Sequence, residues 1–225
     1  MKCSISKRNA IFILLVFTTA VISAQVRTLD EFEGREGWTL NVSDGVTLGI
    51  SNDKGLTGNA IRLDYDFTRG TGYGGIQKRF PIDLPDNYEF TFFIKAESPS
   101  NNFEVKFIDS TGNNVWWVNN RSYNFPGEWK KIRIKKRHIN FAWGPIADQS
   151  FRRVDRIEFT IASVVGGKGT VWIDELKFEQ LPPETQSWPL PSVTASSSGK
   201  LFMILISGMK FLELPFGYAS VRISF

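Results

Sequence analysis

Two adjacent tryptophans, Trp116 and Trp117, sit in the segment Asn113-Asn114-Val115-Trp116-Trp117-Val118-Asn119-Asn120-Arg121. Successive side chains of a strand point to opposite faces, so one indole turns inward and the other outward. Phase with Val118 sends Trp116 to the core and leaves Trp117 on the face of Asn119 and Arg121. A flat indole beside an amide and a guanidinium suits a sugar, which offers an apolar ring face and hydroxyls to hydrogen-bond. Trp143, in Phe141-Ala142-Trp143-Gly144-Pro145, and Tyr73, within the glycine run Gly70–Gly75, are expected at the rim of that surface. The competing reading for each is packing between sheets, where half-buried tryptophans ordinarily sit. Packing weighs more heavily for Trp38 and Trp129.

Carboxylates supply the second constellation. Val171 and Ile173 share one face, and Leu176 and Phe178 resume it one residue late, so Asp174-Glu175 is expected at a bulge. A carboxylate there, near the acidic segment Asp30-Glu31-Phe32-Glu33-Gly34, suits calcium with hard oxygen ligands and loop carbonyls; the alternative is surface charge at a strand distortion. Most other chemistry is excluded by composition. His138 is the only histidine and Cys3 the only cysteine, which removes most His/Cys zinc sites, haem ligation and disulfide frameworks. A nucleophilic triad would have to use His138, which lies in the basic run Lys130–His138 and reads as a solvated strand-end residue. Asp174, Glu175 and Glu179 lack the Glu-x-Asp-x-x-Glu spacing of jelly-roll glycanases, and no helix follows Gly70–Gly75 to make it a phosphate loop. Enzymatic activity is therefore not expected in this chain. Ile132 and Ile134 turn Lys131, Arg133 and Lys135 to one outer face, which reads as a solvated strand with edge-protecting lysines rather than a polyanion stripe.

The elements that must hold these residues are strands. Ile61, Leu63, Tyr65 and Phe67 alternate with Arg62, Asp64 and Asp66; Tyr88, Phe90, Phe92 and Ile94 repeat the rhythm, as do Phe103, Val105 and Phe107, then Ile157, Phe159 and Ile161. Glycine- and proline-containing breaks separate them, at Lys54-Gly55, Gly70–Gly75, Pro81–Asn87, Pro99–Asn102, Thr111–Asn114, Pro126-Gly127 and Gly166–Gly169. No segment carries a helical apolar stripe. The expectation is an all-β antiparallel sandwich of about ten strands, a jelly roll.

Residues 1–24 read as an export signal: Lys2, Lys7 and Arg8 precede the 12-residue apolar stretch Ala10–Val21, and Ala24 stands at the cleavage position. The alternative is a membrane anchor, for which that stretch is short. Of 27 basic and 23 acidic residues, the signal holds three basic and no acidic ones, so the remainder is near neutral and gives no cause to expect nucleic acid as a partner. A secreted monomer with no membrane association after cleavage is expected. The domain spans 25–181; residues 182–199, rich in Pro, Ser and Thr, have linker composition. The tail 200–225 has an apolar run, Leu201–Ile206, but no domain's length, and reads as a truncated or out-of-frame end.

Leu29-Asp30-Glu31-Phe32-Glu33-Gly34 with Trp38, and Thr170-Val171-Trp172-Ile173-Asp174-Glu175-Leu176-Lys177-Phe178, resemble the first and last strands of galactose-binding-like jelly rolls. That group includes carbohydrate-binding modules of the family 11 and family 4/22 types, and similar modules precede discoidin domains in secreted bacterial glycoside hydrolases. Val193–Ser198 resembles the opening of such a discoidin domain, although the rest of it is missing. The resemblance implies non-catalytic polysaccharide binding within a larger glycan-degrading protein. It also implies a structural calcium between first and last strands, held here by Glu33, Asp174 and main chain near Asn52–Lys54. An assembly factor of the CIA30 type has a similar fold, so an extracellular protein-interaction domain is the alternative; the export signal weighs against the mitochondrial role of that factor.

Overall fold

A computed structural model describes residues 25–183 and the backbone of four short strands beyond them. The export signal at 1–24 lies outside the described residues, as do most of the linker and tail. Within the second compact unit, Thr194–Ser196 pairs with Ser220–Arg222, and Phe202–Met203 with Leu212–Glu213. The first compact unit ends at Pro183, two residues past the expected boundary.

Among its described residues this unit has twelve strands: β1 (Gln25–Asp30), β2 (Thr39–Val42), β3 (Thr47–Lys54), β4 (Asn59–Asp66), β5 (Tyr73–Asp83), β6 (Tyr88–Glu97), β7 (Asn102–Ile108), β8 (Val115–Asn120), β9 (Lys130–Lys135), β10 (Asn140–Trp143), β11 (Arg153–Ala162) and β12 (Lys168–Gln180). They form two antiparallel sheets. The first runs β3-β4-β12-β6-β9, with β1 paired to the second half of β12; the second runs β10-β8-β7-β11-β5-β2. This is a β-sandwich jelly roll.

Alternation explains the core. Ile61, Leu63, Phe90, Phe92, Ile94 and Ile173 from the first sheet face Phe103, Val105, Phe107, Ile157, Phe159 and Ile161 from the second, all essentially buried. Rings meet across the interface, Phe92 to Phe159 at 5.0 Å and Phe90 to Phe107 at 4.9 Å. Each such side chain contributes about 1.5–3 kcal/mol by leaving water. Trp38 is buried in this core, stacked on Phe32 at 5.3 Å.

Two details depart from simple alternation. The pairing of β12 with β6 slips between Asp174 and Lys177, and Glu175 has φ of +51°, so the expected bulge is present. Tyr73, Gly74 and Gly75, expected in a loop, instead open β5. Gly75 is required there, because a Cβ would lie 2.6 Å from Thr160 Oγ1 and 2.9 Å from the Phe159 carbonyl oxygen. The basic run folds as β9 followed by a short 3-10 turn, Lys136–His138. Arg133 donates to both carboxylate oxygens of the buried Glu89, and exposed His138 accepts the Lys135 N–H through Nδ1.

Candidate functional site: a cleft on the outer face of the second sheet

Register places the outward residues of six strands in rows. One row runs Gln77, Glu158, Lys106, Trp117 across β5, β11, β7 and β8. A second runs Asn41, Gly75, Thr160, Glu104, Asn119. A third runs Arg79, Arg156, Ile108, Val115, Trp143. A cleft of about 580 Å³ lies over these rows, and a second of about 500 Å³ adjoins it, sharing Gln77 and Arg156.

The floor of the larger cleft is charged and nearly buried. Lys106 Nζ donates to Glu158 Oε1 at 2.9 Å and to Thr160 Oγ1 at 3.2 Å, and lies 3.4 Å from Glu104 Oε2. Thr160 Oγ1 donates to Glu158 Oε1 at 2.6 Å, and Asn41 Nδ2 to Glu158 Oε2 at 2.8 Å. Lys106 and Glu104 are each 7% exposed and Glu158 1%, a costly burial that pairing offsets and that locks the side chains in place. Aromatic rings flank this floor. Tyr73 and Trp143 have their ring centres 5.2 and 6.0 Å from Lys106 Nζ, both are exposed, and Trp117 meets Trp143 edge-on at 5.4 Å. Exposed rings on either side of a fixed polar floor can stack on the ring faces of a sugar.

Tyr73 and Trp143 therefore line the cleft, with Trp117 against Trp143 and Asn119 beside Glu104 on the same face. Trp116 goes to the core, stacked on Phe151 at 5.0 Å, with Nε1 donating to the Gln149 carbonyl. Arg121 lies past the end of β8, exposed, and does not line either cleft. Asn41, Glu104, Lys106, Arg156 and Glu158 were not among the expected site residues. Alternation with Phe103, Val105 and Phe107 was the available signal for Glu104 and Lys106.

The two carboxylates expected to hold calcium meet one turn, Gly55–Gly58, between β3 and β4. Asp174, fully buried at the bulge, accepts the N–H groups of Leu56 at 2.8 Å, Thr57 at 3.3 Å and Glu175 at 2.7 Å. Exposed Glu33 accepts the Asn59 N–H at 3.2 Å. A Cβ on Gly55 would lie 2.7 Å from Asp174 Oδ2, and one on Gly58 2.0 Å from Glu33 Oε1. Burial pushes the Asp174 carboxyl up from the usual range, against the three N–H donors, so its charge is incompletely compensated. Carboxylate oxygens are hard ligands of the kind calcium takes, while the neighbours recorded on Asp174 are main-chain N–H donors. Among the described residues there is no group of three or more His, Cys, Asp or Glu that could hold a metal, so main-chain oxygens would complete any shell.

No protein-family model matches the chain, and no curated protein matches it by sequence. Solved structures do match. The family 11 carbohydrate-binding module of the cellulosomal cellulase Lic26A-Cel5E of Clostridium thermocellum superposes with a TM-score of 0.58 at 21% identity, covering 72% of this chain and 99% of that one. A family 11 module from Clostridium thermocellum in complex with a β-1,3-1,4-mixed-linked tetrasaccharide gives 0.56 at 22% identity, covering 68% and 94%. Residues 25–183 thus have the jelly-roll fold of family 11 carbohydrate-binding modules.

Proposed function

We propose that this protein binds a polysaccharide, without catalysis, in the cleft over β5, β11, β7, β8 and β10. The observation that carries the reading is the pair of exposed rings, Tyr73 and Trp143, on either side of the pinned Lys106-Glu158 floor. The fold shared with carbohydrate-binding modules, one of them in complex with a tetrasaccharide, supports it. Affinity electrophoresis of the full chain through gels containing polysaccharides tests it. Trp143→Ala and Tyr73→Ala should each weaken retardation about tenfold or more, equivalent to about 1.4 kcal/mol. Folded variants that are retarded as strongly as the parent would sink the reading. Export through residues 1–24, a monomeric state, and membership in a larger glycan-degrading protein complete the proposal.

Glu33 and Asp174, with main-chain oxygens of the 52–59 segment, would hold a structural calcium ion that clips the first and last strands to the β3–β4 turn. The ion supplies charge compensation and cross-linking only. A thermal melt that is identical in EDTA and in excess calcium would overturn that assignment.

A further inference from the structure

Cations and carboxylates around the two adjoining clefts do not pair off evenly. Lys78 is held by Asp30 at 2.7 Å, and Lys106 by Glu158 at 2.9 Å. Arg79 takes both oxygens of Asp155, at 2.9 and 3.2 Å. Arg156 has only a share of that carboxylate. It stands beside Arg79 in the register and lines both clefts, yet its guanidinium makes no hydrogen bond among the described residues. Its Nε is buried without a partner, 3.7 Å from the Asp155 oxygen that Arg79 already uses.

The other carboxylates nearby are engaged. Asp109, in the loop that covers Arg156, accepts from Thr111, Gly112 and Asn114 of that same loop. Gly112, at φ of +77°, lets the loop approach, since a Cβ there would lie 2.9 Å from Arg156 Nη2. Glu158, two residues along the same face, is saturated by Lys106, Thr160 and Asn41. Glu104 belongs to the row two removed from Arg156, about 13 Å away along the strands. Two neighbouring guanidiniums thus share one carboxylate at the junction of the clefts, and the half-buried Arg156 is the one that makes no hydrogen bond to it. A partly desolvated guanidinium whose nearest carboxylate, at 3.7 Å, is already hydrogen-bonded to Arg79 is costly, and its fork geometry matches a carboxylate or sulfate oxygen pair.

We infer that Arg156 takes an anionic substituent, a uronate carboxylate or a sulfate ester, so that the polysaccharide bound in this cleft is acidic. This rests on the glycan-binding reading of the same cleft and names its ligand class. The larger cleft holds the sugar ring between Tyr73 and Trp143, and the junction with the smaller one holds the anion.

Affinity electrophoresis of the full chain against polygalacturonate, a sulfated galactan and a neutral mixed-linkage β-glucan, at low and high salt, tests it. Retardation by at least one acidic polymer should exceed that by the neutral glucan and fall as salt rises. Arg156→Gln should lose about tenfold or more of it, and Arg156→Lys, which keeps the charge, should recover part. Which acidic polymer loses binding separates carboxylate from sulfate. Equal retardation of Arg156→Gln by the acidic polymers, or retardation by the neutral glucan alone in a Trp143-dependent way, overturns the role of Arg156 while leaving glycan binding intact. Retardation by none of the polymers overturns both.

Discussion

Replacing Asp174 with alanine removes one acceptor group, itself fully buried, from three main-chain donors. Two of its bonds are short, 2.8 Å to Leu56 N and 2.7 Å to Glu175 N, and the third, to Thr57 N, is 3.3 Å. A hydrogen bond to a charged group contributes about 1.5–3 kcal/mol, and a buried donor left unpaired costs about 1–3 kcal/mol. Counting the two short bonds at the lower value gives about 3 kcal/mol, with the relief of burying the charge set against the weaker third bond. For a domain of this size that loss lowers the melting temperature by about 6–12 °C. Circular-dichroism melts and urea titrations of parent and Asp174→Ala measure it directly. A loss below about 1 kcal/mol would refute the argument, because the turn would then hold β1, β4 and β12 together without this carboxylate. The same melts in EDTA and calcium separate the amide clip from the ion. Any calcium-dependent rise in the parent should vanish in Asp174→Ala, whereas the amide contribution persists under chelation.

Asn101 should be comparably sensitive. It is fully buried, accepts the N–H groups of Val164, Val165 and Gly166 through Oδ1, and donates to the Tyr65 hydroxyl. Asn101→Ala is expected to cost about 2–4 kcal/mol, on the same scale of unpaired buried groups, and to raise amide exchange in the 163–167 loop; unchanged exchange there would contradict it. Stability should also decline in acid. The Trp172 indole N–H holds Asp53 below the usual carboxylate range, the Arg62 guanidinium does the same for Asp64, and the Thr68 hydroxyl and N–H for Asp66. Groups with depressed folded values contribute stability above the unfolded value, near 3.8, and lose it as pH falls further. Melting temperature should therefore drop below about pH 4, and Asp66→Asn should flatten that drop; a flat profile in the parent would count against these contacts.

Much of this molecule follows from period-two alternation, because a strand between a core and an outer face leaves its chain little choice. The inward set Phe90, Phe92, Ile94, Phe103, Val105 and Phe107, the division of Trp116 from Trp117, and the bulge at Asp174-Glu175 are all local facts of phase. Phase says which face a residue takes but not which strands lie side by side. The cleft depends on β11 entering between β7 and β5, which brings Glu158 and Thr160 to Lys106 from more than fifty positions away. Its floor was hidden for a second reason: Glu104, Lys106 and Glu158 look like solvated outward residues until their neighbours bury them. Gly75 looks like loop for a similar reason, since the need for a bare Cα there arises from Thr160 and the Phe159 carbonyl on the adjacent strand. That Arg156 has only a shared carboxylate is tertiary in the same sense, because only the fold decides that Arg79 reaches Asp155 first.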